Sequence, residues 1–241
     1  KSPDAAVVDE ETSGEGGDGS MSKLEQKIEA RHRSLFDVLN EQKYTVDYFQ
    51  REYSWEEKHI EELVTDLSSA FLSEYTPGDK REQGEQYNNY YLGPFVVSSK
   101  DGKRSIIDGQ QRLTSLTLFL IYLHNLQKEL GFDEKIEPMI FSELRGSKSF
   151  NITVNERIPC LNGLFSHGEY VADENADEST RNMAERYQDI YRADPDSHLW
   201  KLGWLPAGFA PLSADQHKLI GSEELVDYFL LSDGLVDVSV Y

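Results

Sequence analysis

The sequence predicts a single α+β domain, a small mixed sheet flanked by helices, and three observations carry that expectation. Short alternating segments are interspersed with stretches of helical periodicity. The dipeptide Asp101-Gly102 lies between two β-prone segments and marks a hairpin. The second of those segments runs through a polar turn into a leucine-rich helix, SIIDGQQRLTSLTLFLIYLHNL, from Ser105 to Leu126. A chain of 241 residues with 38% hydrophobic and 11% aromatic content can bury a real core, in one domain or two small ones. Its mean hydropathy of −0.59 leaves room for much polar loop.

Residues 1–21 are acidic and rich in Gly and Ser and read as a disordered tail; residues 22–241 read as the folded domain. A helix is expected from Ser22 to about Asn40, with Leu24, Ile28, Leu35, Val38 and Leu39 as its apolar members. Tyr44–Tyr48 alternates as a short strand. Ser54 and Glu57 have capping-box spacing for a helix running to Ser73. In it Ile60, Leu63, Val64, Leu67 and Phe71 form one apolar stripe, read as core. Glu74–Asn89 is a long polar loop. Tyr90–Ser98 is a strand interrupted by Gly93 and Pro94, which predicts an edge position or a bulge. The hairpin turn then pairs Phe95–Ser98 with Ser105–Ile107, and the leucine-rich helix follows over Leu113–Leu130. Beyond Gly131 the pattern weakens. Phe150–Val154 alternates as a strand, Leu161–Phe165 reads as a short helix, and Thr180–Tyr191 as a helix carrying Met183, Tyr187, Ile190 and Tyr191. A Pro- and Gly-rich stretch with Trp200 and Trp204 leads to a helix at Glu223–Leu231 and a strand at Leu235–Tyr241. That strand runs to residue 241, which leaves room for a further C-terminal domain.

The turn before the leucine-rich helix holds the densest polar cluster. Leu113, Leu116, Leu120 and Leu123 repeat at helical spacing, and Leu118, Phe119, Ile121 and Tyr122 fill the other faces. Burial nearly all round would fix the helix's first turn rigidly, with its free N–H groups and positive dipole end suited to an anion. Gly109 lets backbone approach a ligand, Arg112 adds a planar cationic fork, and Gln110 and Gln111 can donate or accept. Asp108 alone would be an ordinary helix-start residue, but two glutamines and an arginine are poor caps. Gln50 and Arg51 precede the earlier helix in the same way, so two Gln-Arg turns are expected to converge on one mononucleotide pocket. Trp55 reads equally as a core anchor and as part of that pocket. Asp108 is the nearest carboxylate, with Asp47 and Asp66 as further candidates.

Several function classes are excluded or discouraged. The net charge is −20, and the first twenty residues hold six acids against one lysine. General binding of a phosphate backbone needs neutralising Lys and Arg, so nucleic-acid contact must be local or come from another domain or subunit. Cys160 is the only cysteine, which rules out an intrachain disulfide and multi-cysteine metal sites; it reads as a core residue. Histidines 32, 59, 124, 167, 198 and 217 show no metal-binding spacing, and His124 reads as a hydrogen-bond-satisfied core residue. No phosphate-loop or dinucleotide signature occurs. The longest apolar run is too short to span a bilayer and no signal core is present, so a soluble cytoplasmic protein with no membrane partner is expected.

The segment Asp108-Gly109-Gln110-Gln111-Arg112-Leu113-Thr114, preceded by Ile106-Ile107, resembles the DGQQRLT signature of the GmrSD-type restriction-system N-terminal domain family. Tyr48-Phe49-Gln50-Arg51-Glu52-Tyr53-Ser54-Trp55 is similar to that family's upstream YQRxYxW motif, and Tyr91-Leu92-Gly93 to its LG strand start. Arg157-Ile158-Pro159 and Arg186-Tyr187 resemble later landmarks. The resemblance runs from about Leu35 to the C-terminus. It implies a ParB/sulfiredoxin-like core with additional C-terminal helices. It implies nucleoside-triphosphate binding and hydrolysis through the DGQQR turn, in prokaryotic anti-phage defence against foreign or modified DNA, as in phosphorothioate-sensing Ssp-type relatives. Nuclease activity is not expected from this chain, which shows no HNH domain. In the catalytic set expected at that turn, Asp108 holds a divalent cation (Mg²⁺ or Ca²⁺) or orients water, Gln110 or Gln111 positions that water, and Arg112 stabilises the transferred phosphoryl group. Gln50, Arg51, Trp55, Gly109 and Thr114 complete the nucleotide site. DNA reached through another domain or subunit, a second copy of the chain, or another defence protein are the expected partners. Two rival readings of the turn stay open: a non-catalytic sensor of nucleotide or modified DNA, and a purely structural clasp.

Overall fold

The computed structural model describes residues 28–46, 52–76, 81–84, 86–100, 102–130, 136–144, 146–193 and 235–240. The acidic tail, Asp47, Gln50, Arg51, Trp200, Trp204 and the helix expected at Glu223–Leu231 lie outside those residues.

The described elements make a mixed α+β fold. They follow the order β1 (Ile28–Arg33), α1 (Leu35–Leu39), β2 (Tyr44–Val46), α2 (Glu57–Glu74), α3 (Arg81–Gly84), β3 (Gly93–Lys100), β4 (Lys103–Asp108), α4 (Gln110–Leu130), α5 (Glu137–Ile140), β5 (Phe141–Leu144), β6 (Ser147–Phe150), β7 (Ile152–Thr153), α6 (Ile158–His167), α7 (Glu178–Ala193) and β8 (Leu235–Val240). Six strands form one sheet in the order β1-β8-β3-β4-β2-β7, and β5 pairs with β6 separately. The β3–β4 hairpin is antiparallel, with Val97 opposite Ile106 and Ser98 opposite Ser105, as the turn signal required. Gly102 takes φ +71 at its tip. β2 runs parallel to both β4 and β7, and β8 parallel to β3. Phe95, Val97, Ile106, Tyr44 and Val46 are buried on the sheet. α7 packs against both α2 and α4, and α4 also touches α5 and α6.

The stripe Ile60, Leu63, Val64, Leu67 and Phe71 is buried, as its spacing predicts. So is α4 on almost every face, with Leu113 through His124 all under cover. Four expectations are corrected. The Ser22–Asn40 helix is not formed as such: Ile28–Arg33 is an extended strand paired antiparallel with β8, and helix begins only at Leu35. Ser34 separates the two, its Oγ accepting Asp37 N at 3.0 Å as an N-cap. The cap of α2 lies two residues after the expected Ser54, because Glu56 is its N-cap and His59 Nδ1 closes the box on Glu56 N at 3.0 Å. β3 begins at Gly93 and is central rather than an edge, flanked by β4 and β8. The bulge reading does hold: Val96 faces Asp108 and Val97 faces Ile106, which leaves Ile107 as an extra residue in β4. Finally, α4 begins at Gln110, so the glutamines and Arg112 form its first turn rather than precede it. The polar loop between α2 and β3 contains one short helix, α3.

Candidate functional site

The hairpin, the Ile107 bulge and α4 together deliver the site. β4 ends at Asp108, Gly109 turns the chain at φ +88, and α4 starts at once. A side chain at Gly109 would stand 3.0 Å from Phe95 Cδ2 and 3.5 Å from Phe95 Cα, so both the dihedral and the close approach to β3 demand glycine. Leu113 N closes the first helical bond onto Gly109 O at 2.9 Å. The N–H groups ahead of it have no intrahelical acceptor. They border an open cleft of about 420 Å³ lined by Trp55, Ile107, Asp108, Gly109, Gln110, Gln111 and Arg112.

Each polar residue of the first turn has a distinct posture. Arg112 Nη1 donates to Pro94 O at 2.8 Å. Its guanidinium lies over Gly93, where a Cβ would come within 3.1 Å of Arg112 Cζ. The LG pair is therefore legible physically: Leu92 is buried, and Gly93 leaves space for the arginine fork. Arg112 makes no ion pair among the described residues, although it lines the same cleft as Asp108. Asp108 is exposed at the lip of that cleft. Beside Arg112, the Tyr90 hydroxyl donates to Asp66 Oδ2 at 2.6 Å. Burial and that carboxylate push the Tyr90 phenol up to about 12. Asp66 is thus committed to Tyr90 and does not line the cleft.

The glutamines turn away from helix capping and grip an upstream segment. Gln111 Nε2 donates to Glu52 O at 2.6 Å while its Oε1 accepts Ser54 N at 3.0 Å. This pairing imitates a strand ladder with a side chain. Gln110 Nε2 also donates to Glu52 O, at 3.1 Å, and its Oε1 is buried with no hydrogen-bond partner. Behind them Tyr53 is buried, its hydroxyl 2.7 Å from Ser115 Oγ, which in turn donates to Gln111 O at 3.0 Å. Burial raises the Tyr53 phenol well above its usual range, so it stays protonated at any working pH. Trp55 is half-buried against the cleft and stacks on His59 with centroids 5.6 Å apart.

Of the residues the sequence nominated, Trp55, Asp108, Gly109, Gln110, Gln111 and Arg112 meet at one cleft. Thr114 is buried and is not among the lining residues. Gln50 and Arg51, and with them the convergence of two Gln-Arg turns, lie outside the described residues. Sequence reasoning missed the contribution of α7. Ser179 Oγ accepts Tyr53 N at 2.8 Å, Asn182 Nδ2 donates to Tyr53 O at 2.9 Å, and Arg186 Nη1 donates to Trp55 O at 3.0 Å. Their spacing of three and four places them on one helical face, which was a usable signal. Cys160 is buried, as expected, and its thiol is pushed up to about 12. His124 is buried but not satisfied: its Nε2 has no partner, which corrects that expectation. Among the described residues no three His, Cys, Asp or Glu side chains group closely enough to hold a metal ion. None of the described helices is long and apolar enough to cross a membrane.

Comparison with known proteins agrees with the turn. Residues 35–227 match the family described as GmrSD restriction endonuclease, N-terminal domain. The chain belongs to this family. It is therefore a restriction-system domain, and the matched span covers the cleft, α4 and α7. No curated protein matches the chain.

Proposed function

We propose that this restriction-system domain binds a nucleoside triphosphate in the α4 cleft and hydrolyses it, in defence against foreign or modified DNA. The observation that carries the reading is Arg112: a cation fixed by Pro94 O over Gly93, without a carboxylate partner among the described residues, at the N-terminus of a 21-residue helix. An anion placed there meets the fork, the free N–H groups and the helix dipole together. Phosphoryl transfer spreads negative charge over the transferred oxygens, and a preorganised arginine stabilises that charge. Among the described residues Asp108 is the one carboxylate lining the cleft. It suits a Mg²⁺ or Ca²⁺ ion shared with the ligand's own phosphates, or an attacking water. Trp55 offers a ring to the base. The glutamines divide: Gln111 spends both ends of its amide on the Glu52–Ser54 backbone, while Gln110 commits only its Nε2 there. DNA is engaged through another domain or partner, since the chain carries −20.

The test is phosphate release from the four triphosphates with Mg²⁺ or Ca²⁺, after melting curves establish that each variant folds. Sustained turnover by wild type that disappears in an Asp108→Ala, Arg112→Ala variant is expected. Turnover at the wild-type rate in a well-folded double variant overturns the proposal. Saturable binding without turnover identifies the sensor reading instead. The double grip of Gln111 favours the clasp reading for that residue alone, because Arg112 and Asp108 take no part in it.

A further inference from the structure

We propose that Arg186, held by Asp189, is a positioning residue that sets Trp55 as the aromatic wall of the cleft. This rests on the nucleotide reading of the same site.

The guanidinium of Arg186 is 12% exposed and the Asp189 side chain 2%. Arg186 Nε pairs with Asp189 Oδ2, and Asp189 Oδ1 accepts Arg192 Nη1 at 2.8 Å. A guanidinium is planar, so fixing Nε also fixes the direction of Nη1. That nitrogen donates to Trp55 O at 3.0 Å. One turn earlier on α7, Asn182 and Ser179 take the carbonyl and the N–H of Tyr53. One face of α7 therefore reads the main chain of residues 53–55, while Gln110 and Gln111 read residues 52 and 54 from α4. The segment carrying Trp55 is strung between two helices, and among the described residues it is α7 that holds the Trp55 carbonyl. Burying a charged pair is costly, and α7 already packs directly against α4 and α2 without it. What the pair adds is direction: it aims at the carbonyl of the residue whose ring faces the cleft.

The experiment uses the full chain with Trp200→Phe and Trp204→Phe, so that Trp55 is the sole tryptophan, excited selectively over the 13 tyrosines. Without nucleotide, Arg186→Ala and Arg186→Lys should each raise acrylamide quenching of Trp55 and lower its anisotropy, at temperatures where melting curves show the protein folded. Arg186→Lys keeps the charge but cannot span Asp189 and Trp55 O together, so it serves if Arg186→Ala fails to fold. With nucleotide, KM should rise about tenfold while kcat changes little, the signature of lost positioning rather than lost chemistry. A lower melting temperature with unchanged Trp55 quenching overturns the inference, because a purely structural arginine would do only that. If wild type neither binds nor hydrolyses nucleotide, the functional proposal fails, and the ligand-free quenching still decides the role of Arg186.

Discussion

The two ends of helix α4 use polar side chains in opposite ways. At the first turn Gln110, Gln111 and Arg112 donate to main-chain carbonyls 18 to 59 residues away in sequence. They tie distant segments together and leave Asp108 and Arg112 on an open cleft, without an ion pair among the described residues. Four turns on, Asn125 donates to Leu164 O and Tyr187 Oη beside a smaller cleft of about 290 Å³. There His124 stacks on Phe165 at 4.5 Å with Nε2 buried and unpartnered. Burial, helped by Lys128 and Lys148, pulls its imidazole down to about 4. Both ends have a cleft and both have polar groups. What sets the first turn apart is fixed geometry combined with charge on show; the distal end has desolvated groups whose ionisation costs stability.

The contrast is sharpest in catalysis. Arg112→Ala should lower kcat/KM for a triphosphate by about a thousandfold, roughly 4 kcal/mol, whereas Asn125→Ala should leave it unchanged. Phosphate-release kinetics on both variants would show whether the two clefts differ as stated. Next in size is a pH effect confined to the distal end. His124 is neutral when folded, and its folded value lies below the ordinary 6.5 of the unfolded chain. The unfolded state thus binds the extra proton, and the stability from this site is whole above pH 6.5 and is lost as pH falls towards 4. The shift corresponds to about 3 kcal/mol, so wild type should lose that much more between pH 7 and 4 than His124→Leu in denaturant titrations. Returning to the first turn, Gly109→Ala should cost about 2–3 kcal/mol, for its strained φ and the contact with Phe95. Gly102→Ala, at positive φ with nothing within 4 Å, should cost about 1 kcal/mol. Gln111→Ala should cost less than Gly109→Ala, about 1–2 kcal/mol for the lost grip on Glu52 and Ser54. Equal losses for Gln111→Ala and an exposed Gln86→Ala would remove the clasp from the comparison.

Local chemistry was legible and long-range pairing was not. The α2 stripe, the Asp101-Gly102 turn and the buried body of α4 follow from spacing alone, because each element's own residues decide them. The cleft residues were legible too, since Gly109 and Arg112 are informative choices at a helix start. Ser54 failed as a cap for a reason no local window holds: its N–H is taken by Gln111 Oε1, 57 residues later. The same grip explains why α4 begins at Gln110, since the glutamine side chains reach sideways to the upstream segment instead of outward. Ile28–Arg33 matched a helical period, yet its partner is β8 at the other end of the sequence. Ser179 and Asn182 look like ordinary helix residues until Tyr53 is placed beside them.

The position of β8 between β1 and β3 also has a consequence in time. Gly93 pairs with Leu235 across 142 positions, and Ile28 pairs with Val240. A nascent chain emerging at roughly 5–20 residues per second holds β3 for on the order of ten seconds before β8 can reach it. Throughout that interval β1 and β3 each lack the neighbour that completes them, and bare strand edges recruit other chains. The yield of intact protein should therefore depend on translation speed and on chaperones across residues 100 to 240.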